Sequence, residues 1–396
     1  MFSGDLQVLV DDLAERLGRS ATIEDDNHRV IVYSSQQHQI DDVRRDSILQ
    51  RRTSPEVRTW FRKFGIVSCN DPVRIPPDRA RGILGRLCIP VRHRDRLDGF
   101  LWLIDDDESL TAPQVTVAET TARHAAILMH EEMLAERLAS TALAHLLVQS
   151  EEVRTLAAAQ VVDDGIVPAG SPVVVSVLVP ESTDAGTRTL IGDCIRDVSR
   201  LHVRGEVLGV AHADHGAVLT FAPGGDRAGH AMRIARELRD CMRRRTGDVR
   251  TVVGIGEVKE RLVDAQVSYR QARLSARAAT RLPGVGDIAA WSALGALRAV
   301  VQLPIEAMVD SIDPRMAALF AAGDDRILDT LECYLDGGCD AQVTAGKLHL
   351  HRGTLYYRLQ KAQEAADIDL RNGEDRLSAH VGFKLARLAG RYPLQA

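Results

Sequence analysis

Much of what usually names a protein is missing from this 396-residue chain. Its six cysteines (Cys69, Cys88, Cys194, Cys241, Cys333 and Cys339) form no CxxC pair and have no histidine at zinc spacing beside them, so they read as reduced, structural thiols. The longest β-like apolar run, 173–179, is far too short to cross a bilayer. The opening Met-Phe-Ser-Gly-Asp has neither a basic n-region nor an apolar h-region. These absences predict a cytoplasmic protein with no membrane association, no metal and no cofactor. Lysine is scarce, 5 of the 50 Lys and Arg, a bias associated with a GC-rich genome. The net charge of −5 excludes a histone-like polyanion binder but leaves room for one local basic patch. What is present is ordinary: 45% hydrophobic and 27% charged residues, enough for two to four domains with real cores.

The basic patch lies near the C-terminus. From Lys347 to Lys361 there are four Lys or Arg, two His and no acid. The stretch predicts two helices joined by a tight turn. In the first, 341–347, Ala341, Ala345 and Leu348 share a stripe, and Leu350 plugs the turn. In the second, 351–366, Leu355, Leu359, Ala362 and Ala366 make an apolar face. Rotation at about 100° per residue puts Gly353, Thr354, Tyr357, Gln360 and Lys361 opposite that face, with Arg352 and Arg358 flanking it. A recognition helix needs this layout: small hydrogen-bonding groups reach base edges in the major groove, and cations meet phosphates. A bare amphipathic helix pair with a solvated basic face is the competing reading.

Leu348-His-Leu-His-Arg-Gly-Thr-Leu-Tyr-Tyr-Arg-Leu359, followed by Asp369-Leu370 and Glu374-Asp375-Arg376-Leu377, resembles the C-terminal helix-turn-helix of PucR/CdaR transcription regulators. The family pattern is roughly Leu-x-Val-His-Arg-Asn-Thr-Leu-x-Tyr-Arg-Leu. His351, Arg352, Thr354, Tyr357 and Arg358 match it; Gly353 stands where the family usually has Asn. The resemblance implies a bacterial, activator-type regulator that binds double-stranded DNA as a homodimer. The residues assigned to DNA are Lys347, His351, Arg352, Gly353, Thr354, Tyr357, Arg358 and Lys361. The closing helix, 374–389, is expected to complete the domain's core with Leu377, Val381, Leu385 and Leu388.

The rest of the chain reads as a multidomain α+β protein. Residues 1–112 predict a helix, a hairpin around residues 25–28, two helices, a Pro-rich loop and a second hairpin across 92–98. That order resembles a GAF/PAS-like sensor domain, which implies a small-molecule effector; Tyr33, Trp60, Phe64, Cys88 and Trp102 are candidate lining residues, or plain core. Residues 113–165 predict connecting helices, with Leu128, Ala135, Ala139, Ala142, Leu146 and Val153 approximating a stripe and Ser150 capping the second helix. Residues 166–285 follow the order β-α-β-β-α-β-α of a ferredoxin-like palm and resemble the GGDEF-like domain of the same regulators. An active cyclase needs a Gly pair and an acid pair in the central hairpin. The turn Ala211-His-Ala-Asp-His-Gly216 has neither, so no catalytic residue is assigned. Gly254 and Gly256 are read as easing strand–helix packing, and Arg243–Arg245 as a solvated helix end. Residues 286–323 are expected to be a linker and 324–396 the helix-turn-helix domain. A nucleotide cyclase or phosphodiesterase acting through the middle domain, and an RNA-binding antiterminator, are the alternatives.

Overall fold

The computed structural model describes residues 2–35, 40–182, 184, 186–202, 206–221, 226–247 and 249–391; positions 392–396 of the expected DNA-binding region lie outside them. The chain divides into two compact units, residues 1–138 and 139–396.

Unit 1 opens with α1 (Phe2–Leu17), which Gly18 ends at φ +61°. It continues through β1 (Ala21–Asp25), β2 (Val30–Tyr33), α2 (Asp42–Leu49), α3 (Pro55–Arg62), β3 (Val73–Ile75), β4 (Arg86–His93), β5 (Arg96–Ile104) and α4 (Ala112–Leu146), within which the unit boundary falls. The five strands form an antiparallel sheet in the order β2-β1-β5-β4-β3. Both faces are covered, which is why β1 is buried along its whole length. On one face Leu6, Val10 and Leu13 of α1 and Ala118, Ala122, Ala125 and Met129 of α4 pack on Ile23, Leu87, Leu101 and Leu103. On the other, Phe61, Ile66, Ile75, Cys88, Phe100 and Trp102 form a separate cluster. The Pro-rich loop hides a strand: β3 pairs with β4 between Pro72 and Pro76, placing a short edge strand where the prolines remove no needed donor.

Unit 2 contains α5 (Glu151–Asp163), β6 (Val173–Pro180), α6 (Thr187–Ser199), β7 (Val207–Ala211), β8 (Gly216–Phe221), α7 (Arg227–Thr246), β9 (Thr251–Ile255), α8 (Ala265–Arg281) and β10 (Ile288–Ala290). Ser150 caps α5, accepting from the Val153 N–H at 3.4 Å. The sheet order is β10-β9-β6-β8-β7; its last four strands have the ferredoxin-like arrangement, with β10 added parallel to β9. Helices α6 and α7 cover one face. Arg245, expected in a solvated helix end, instead ties α7 to α6 through Asp193 at 3.4 Å and through Asp197. Helix α8 covers the other face. There Gly254 of β9 and Gly256 just after it are needed for close approach: a Cβ on Gly254 would lie 2.0 Å from Ala272 O, and one on Gly256 2.1 Å from Ser268 O.

The chain then forms α9 (Leu297–Val300), α10 (Ile305–Asp310), α11 (Pro314–Ala322), α12 (Asp325–Asp336), α13 (Ala341–Lys347), α14 (Arg352–Ala366) and α15 (Gly373–Leu388). Residues 286–323 are therefore not a linker. They supply β10, and they bury Trp291, Leu294, Val301 and Met308 in the core on the α8 face. Met316 and Leu319 of α11 enter the core of the C-terminal helices. The closing helix also differs from expectation. Leu377 is 65% exposed, while Ala379, Phe383 and Ala386 fill the C-terminal core. Val381, Leu385 and Leu388 point the other way, into the core shared with α8 and Trp291. Helix α15 thus carries two apolar stripes and joins the C-terminal helices to the ferredoxin-like part of unit 2.

Candidate nucleic-acid interface

The C-terminal region is built as two helices around a fixed corner. Asp340 caps α13, its Oδ1 accepting from the Gln342 and Val343 N–H groups at 2.7 and 2.9 Å. Thr344, rather than the Ala341/Ala345/Leu348 stripe, is the fully buried residue of α13; its hydroxyl donates to Asp340 O at 2.7 Å. The helix ends in a Schellman turn: His349 takes φ +51°, Leu350 N–H reaches Ala345 O at 2.9 Å, and His349 N–H reaches Gly346 O at 3.3 Å. His351 then caps α14, its Nδ1 accepting from Gly353 N–H at 3.2 Å. Leu355, Leu359, Ala362 and Ala366 are buried against Leu328, Leu331 and Phe383. A buried ion pair stiffens the support: Arg387 donates to both Glu332 oxygens, with Nε at 2.7 and 3.0 Å.

That burial leaves the opposite side of α14 in solvent. His351, Arg352, Gly353, Thr354, Gln360 and Lys361 are exposed, as is Lys347 on α13, and Tyr357 is 61% exposed. Arg352 lies over the Tyr356 ring, 5.5 Å from its centroid, and donates to the Tyr356 hydroxyl at 3.4 Å. Two of the expected cations are less free than the sequence suggested. Arg358 is half-buried and its Nη1 donates to Thr330 Oγ1 on α12 at 3.3 Å. Lys361 bonds Glu364 at 2.8 Å, which also accepts from Gln360 at 2.9 Å. The acid-free part of the surface is therefore the N-terminal half of α14 together with the C-terminal end of α13.

The candidate effector residues of unit 1 divide. Trp60, Phe64, Cys88 and Trp102 share one cluster beneath α3, with Trp60–Phe64 and Phe61–Trp102 ring centroids 5.0 and 4.6 Å apart. Tyr33 does not join them. It ends the edge strand β2, 39% exposed, with its carbonyl bonded by Gln7. Beside the cluster lies a buried polar group that the sequence reading missed. Glu24 accepts from Thr53 Oγ1 at 2.7 Å, Trp102 Nε1 at 3.0 Å and the His28 ring at 3.1 Å. Arg44 bonds Thr22 and reaches Trp102 O at 3.5 Å, and Arg86 pairs with Asp41. Burial, with Arg86 as a second cause, lowers the Arg44 guanidinium to about 10. Burial, reinforced by Glu24, pushes the Cys88 thiol well up, so it stays protonated and a poor nucleophile, against any thiol switch there. A lone Arg or Glu in sequence carries no sign that it will be buried, which is why this group was not foreseen.

In the ferredoxin-like sheet the β7–β8 turn places His212 and His215 in a stack with centroids 4.5 Å apart; His215 bonds Asp214 and the Tyr269 hydroxyl, each at 2.7 Å. The one carboxylate of this turn is engaged by its histidine.

Residues 327–385 match the family described as the PucR C-terminal helix-turn-helix domain, and residues 165–278 match the GGDEF-like domain. The proline-responsive transcriptional activator PutR of Bacillus subtilis is 20% identical over 409 aligned residues, covering 97% of each chain. The purine catabolism regulatory protein of the same organism is 25% identical over 137 residues, 34% of this chain and 26% of that one. The crystal structure of a regulator of polyketide synthase expression from Bifidobacterium adolescentis aligns over 63% of this chain and 92% of that chain, with 18% identity and a TM-score of 0.31.

Proposed function

Because this chain is a DNA-binding transcriptional regulator of the PucR type, we propose that the N-terminal half of α14 is its reading element. Thr354 and Tyr357 face base edges, Gly353 lets the helix approach closely, and Lys347, His351 and Arg352 meet phosphates. The observation that carries this assignment is the solvent-facing, carboxylate-free N-terminal half of α14, on a helix held by four buried residues behind it. Arg358 braces α14 on α12 and offers its remaining donors to the backbone; Lys361, shared with Glu364, marks the edge of the contact.

The protein acts as a homodimer in the cytoplasm. On α4, Ile127, Leu134 and Leu138 are 48%, 45% and 62% exposed and lie within about 20° of one line on the helix, a seam suited to a second copy. Of the stripe expected from sequence, Leu128, Ala135, Ala139 and Ala142 are half-buried and Leu146 fully buried within the chain, while Val153 is exposed. Unit 1 is a GAF/PAS-like input domain. A small effector binds near Trp60, Phe64 and Trp102, where Arg44 and Glu24 supply charge; the proline response of the full-length relative supports a small-molecule input. The GGDEF-like domain has no catalytic role, because the 211–216 turn carries no acid pair and its one aspartate is bonded to His215. Signal passes by population shift: effector binding favours one spacing of the two recognition helices.

The test is selection of duplexes from a random-sequence library by the full chain, followed by anisotropy titration against a selected and a scrambled duplex. Thr354→Ala is expected to weaken the selected duplex by about 1–3 kcal/mol and the scrambled one little. Equal losses on both would remove Thr354 from base reading.

A further inference from the structure

The regulatory reading leaves unused a cluster at the edge of the ferredoxin-like sheet. His202 follows α6, Glu206 precedes β7 and His230 lies in the first turn of α7. One nitrogen or oxygen from each lies within 4.8 Å of the others. Glu237 stands two helical turns after His230 on the same face of α7, and its Oε2 is 2.7 Å from His202 Nε2. The two imidazoles meet edge-on with centroids 5.6 Å apart. His230 is buried, and its Nε2 has no hydrogen-bond partner among the described residues. A buried imidazole nitrogen left without a partner costs free energy unless something else binds it.

We propose that His202, Glu206 and His230, with Glu237 as fourth ligand or ligand-orienting group, form a site for one divalent transition-metal ion, zinc above all. Two imidazoles and two carboxylates make a neutral set around a divalent cation. Zinc takes such nitrogen and oxygen donors in four-coordination, whereas magnesium and calcium favour oxygen alone. The site lies at the far end of β7 from the 211–216 turn, so it is separate from the hairpin where cyclase chemistry would be sought. Its ligands come from three elements with no metal-type spacing, which hid them in the linear sequence. A bound ion would clamp the end of α6, the start of β7 and α7 together. One competitor is visible: Arg233, exposed on α7, donates from Nη2 to His230 Nδ1 at 3.0 Å. Guanidinium is always a donor, so this bond puts the imidazole proton on Nε2. Ligation through Nε2 moves that proton to Nδ1 and turns Arg233 out to solvent.

The experiment uses the full chain, stripped with chelator, and titrates Zn2+ by calorimetry and Co2+ by visible absorption. The expected result is one tight Zn2+ per chain and a Co2+ spectrum of low coordination number. His202→Gln and His230→Gln each weaken Zn2+ by at least about a hundredfold, Glu237→Gln by about 10–100-fold, and Arg233→Gln tightens it. Cys194→Ser with Cys241→Ser leaves affinity unchanged, which separates this site from thiol capture. No stoichiometric Zn2+ in the native chain, or unchanged affinity in His202→Gln, overturns the proposal. Should His230→Gln fail to fold by circular dichroism, His202→Gln, half-buried near the end of α6, decides the matter.

Discussion

Gly353 sits in the first turn of α14 without a positive φ, and the nearest atom to an added Cβ would be His351 Nδ1 at 3.4 Å. Nothing in the backbone requires glycine there. Gly353→Asn is therefore expected to fold, to raise the melting temperature through up to about 1 kcal/mol of recovered helix propensity, and to change the base selected at one position. Thermal unfolding and library selection check the two halves of that statement. Arg352 and Arg358 should now separate. Arg352→Ala is expected to reduce the salt slope of binding by about 1, without altering stability. Arg358→Ala should lose the Thr330 contact as well, so the melting temperature falls together with affinity. Equal behaviour of the two variants would contradict the distinction. At this scale the sequence was legible where helix rotation decides, as for Leu355 and Leu359 inside and Thr354 and Tyr357 outside. It was not legible where a partner far along the chain decides. Thr330 draws Arg358 inward, and Glu24, His28 and Arg44 meet only once the sheet of unit 1 has formed.

The elements behind α14 bear its stability. Leu359→Ala removes a side chain buried against α12 and α15 and is expected to cost about 2–5 kcal/mol, read as a lower urea midpoint. Arg387→Met leaves Glu332 buried without its bidentate partner and should cost about 3–5 kcal/mol. A pH effect belongs to the join between α11 and α15. Arg315 chiefly, with the Ser378 hydroxyl at 3.0 Å, holds the Asp313 carboxyl at about 2, and Arg315 also bonds Asp375 at 3.0 Å. A carboxyl lowered on folding contributes stability above its unfolded pKa and loses it as pH falls through the folded value. The contribution should be intact at pH 5 and disappear between about pH 4 and pH 2. Asp313→Asn should flatten the urea midpoint across that window; an unchanged pH profile would reject the pairing. The helix pair in this region was readable from periodicity, 341–347 and 351–366 against α13 and α14, whereas the capping roles of Asp340 and His351 emerged only in the structure. Residues 286–323 were misread because short helices and a three-residue strand lack a full period, and their burial depends on α8 and α15. The stripe chosen on α15 failed for a related reason: the helix has two apolar faces, and hydrophobicity alone does not say which neighbour each one meets.

For the molecule as a whole, the proposed dimer through α4 would link input to output. Ile127→Asp with Leu134→Asp is expected to give a monomer by sedimentation, with native-like circular dichroism and loss of most affinity for paired half-sites. A dimer that survives both substitutions would move the seam elsewhere. Removal of unit 1 should abolish any effector response while α14 keeps its base preference. The most direct measurement is titration of the full chain against one selected duplex over a range of salt, for the native protein and for Arg352→Ala combined with Tyr357→Ala. The exposed face of α14 as the DNA-reading surface predicts a steep salt dependence in the native chain, and in the folded double variant a shallower slope with no preference over scrambled DNA. An undiminished preference and slope in that variant would contradict it.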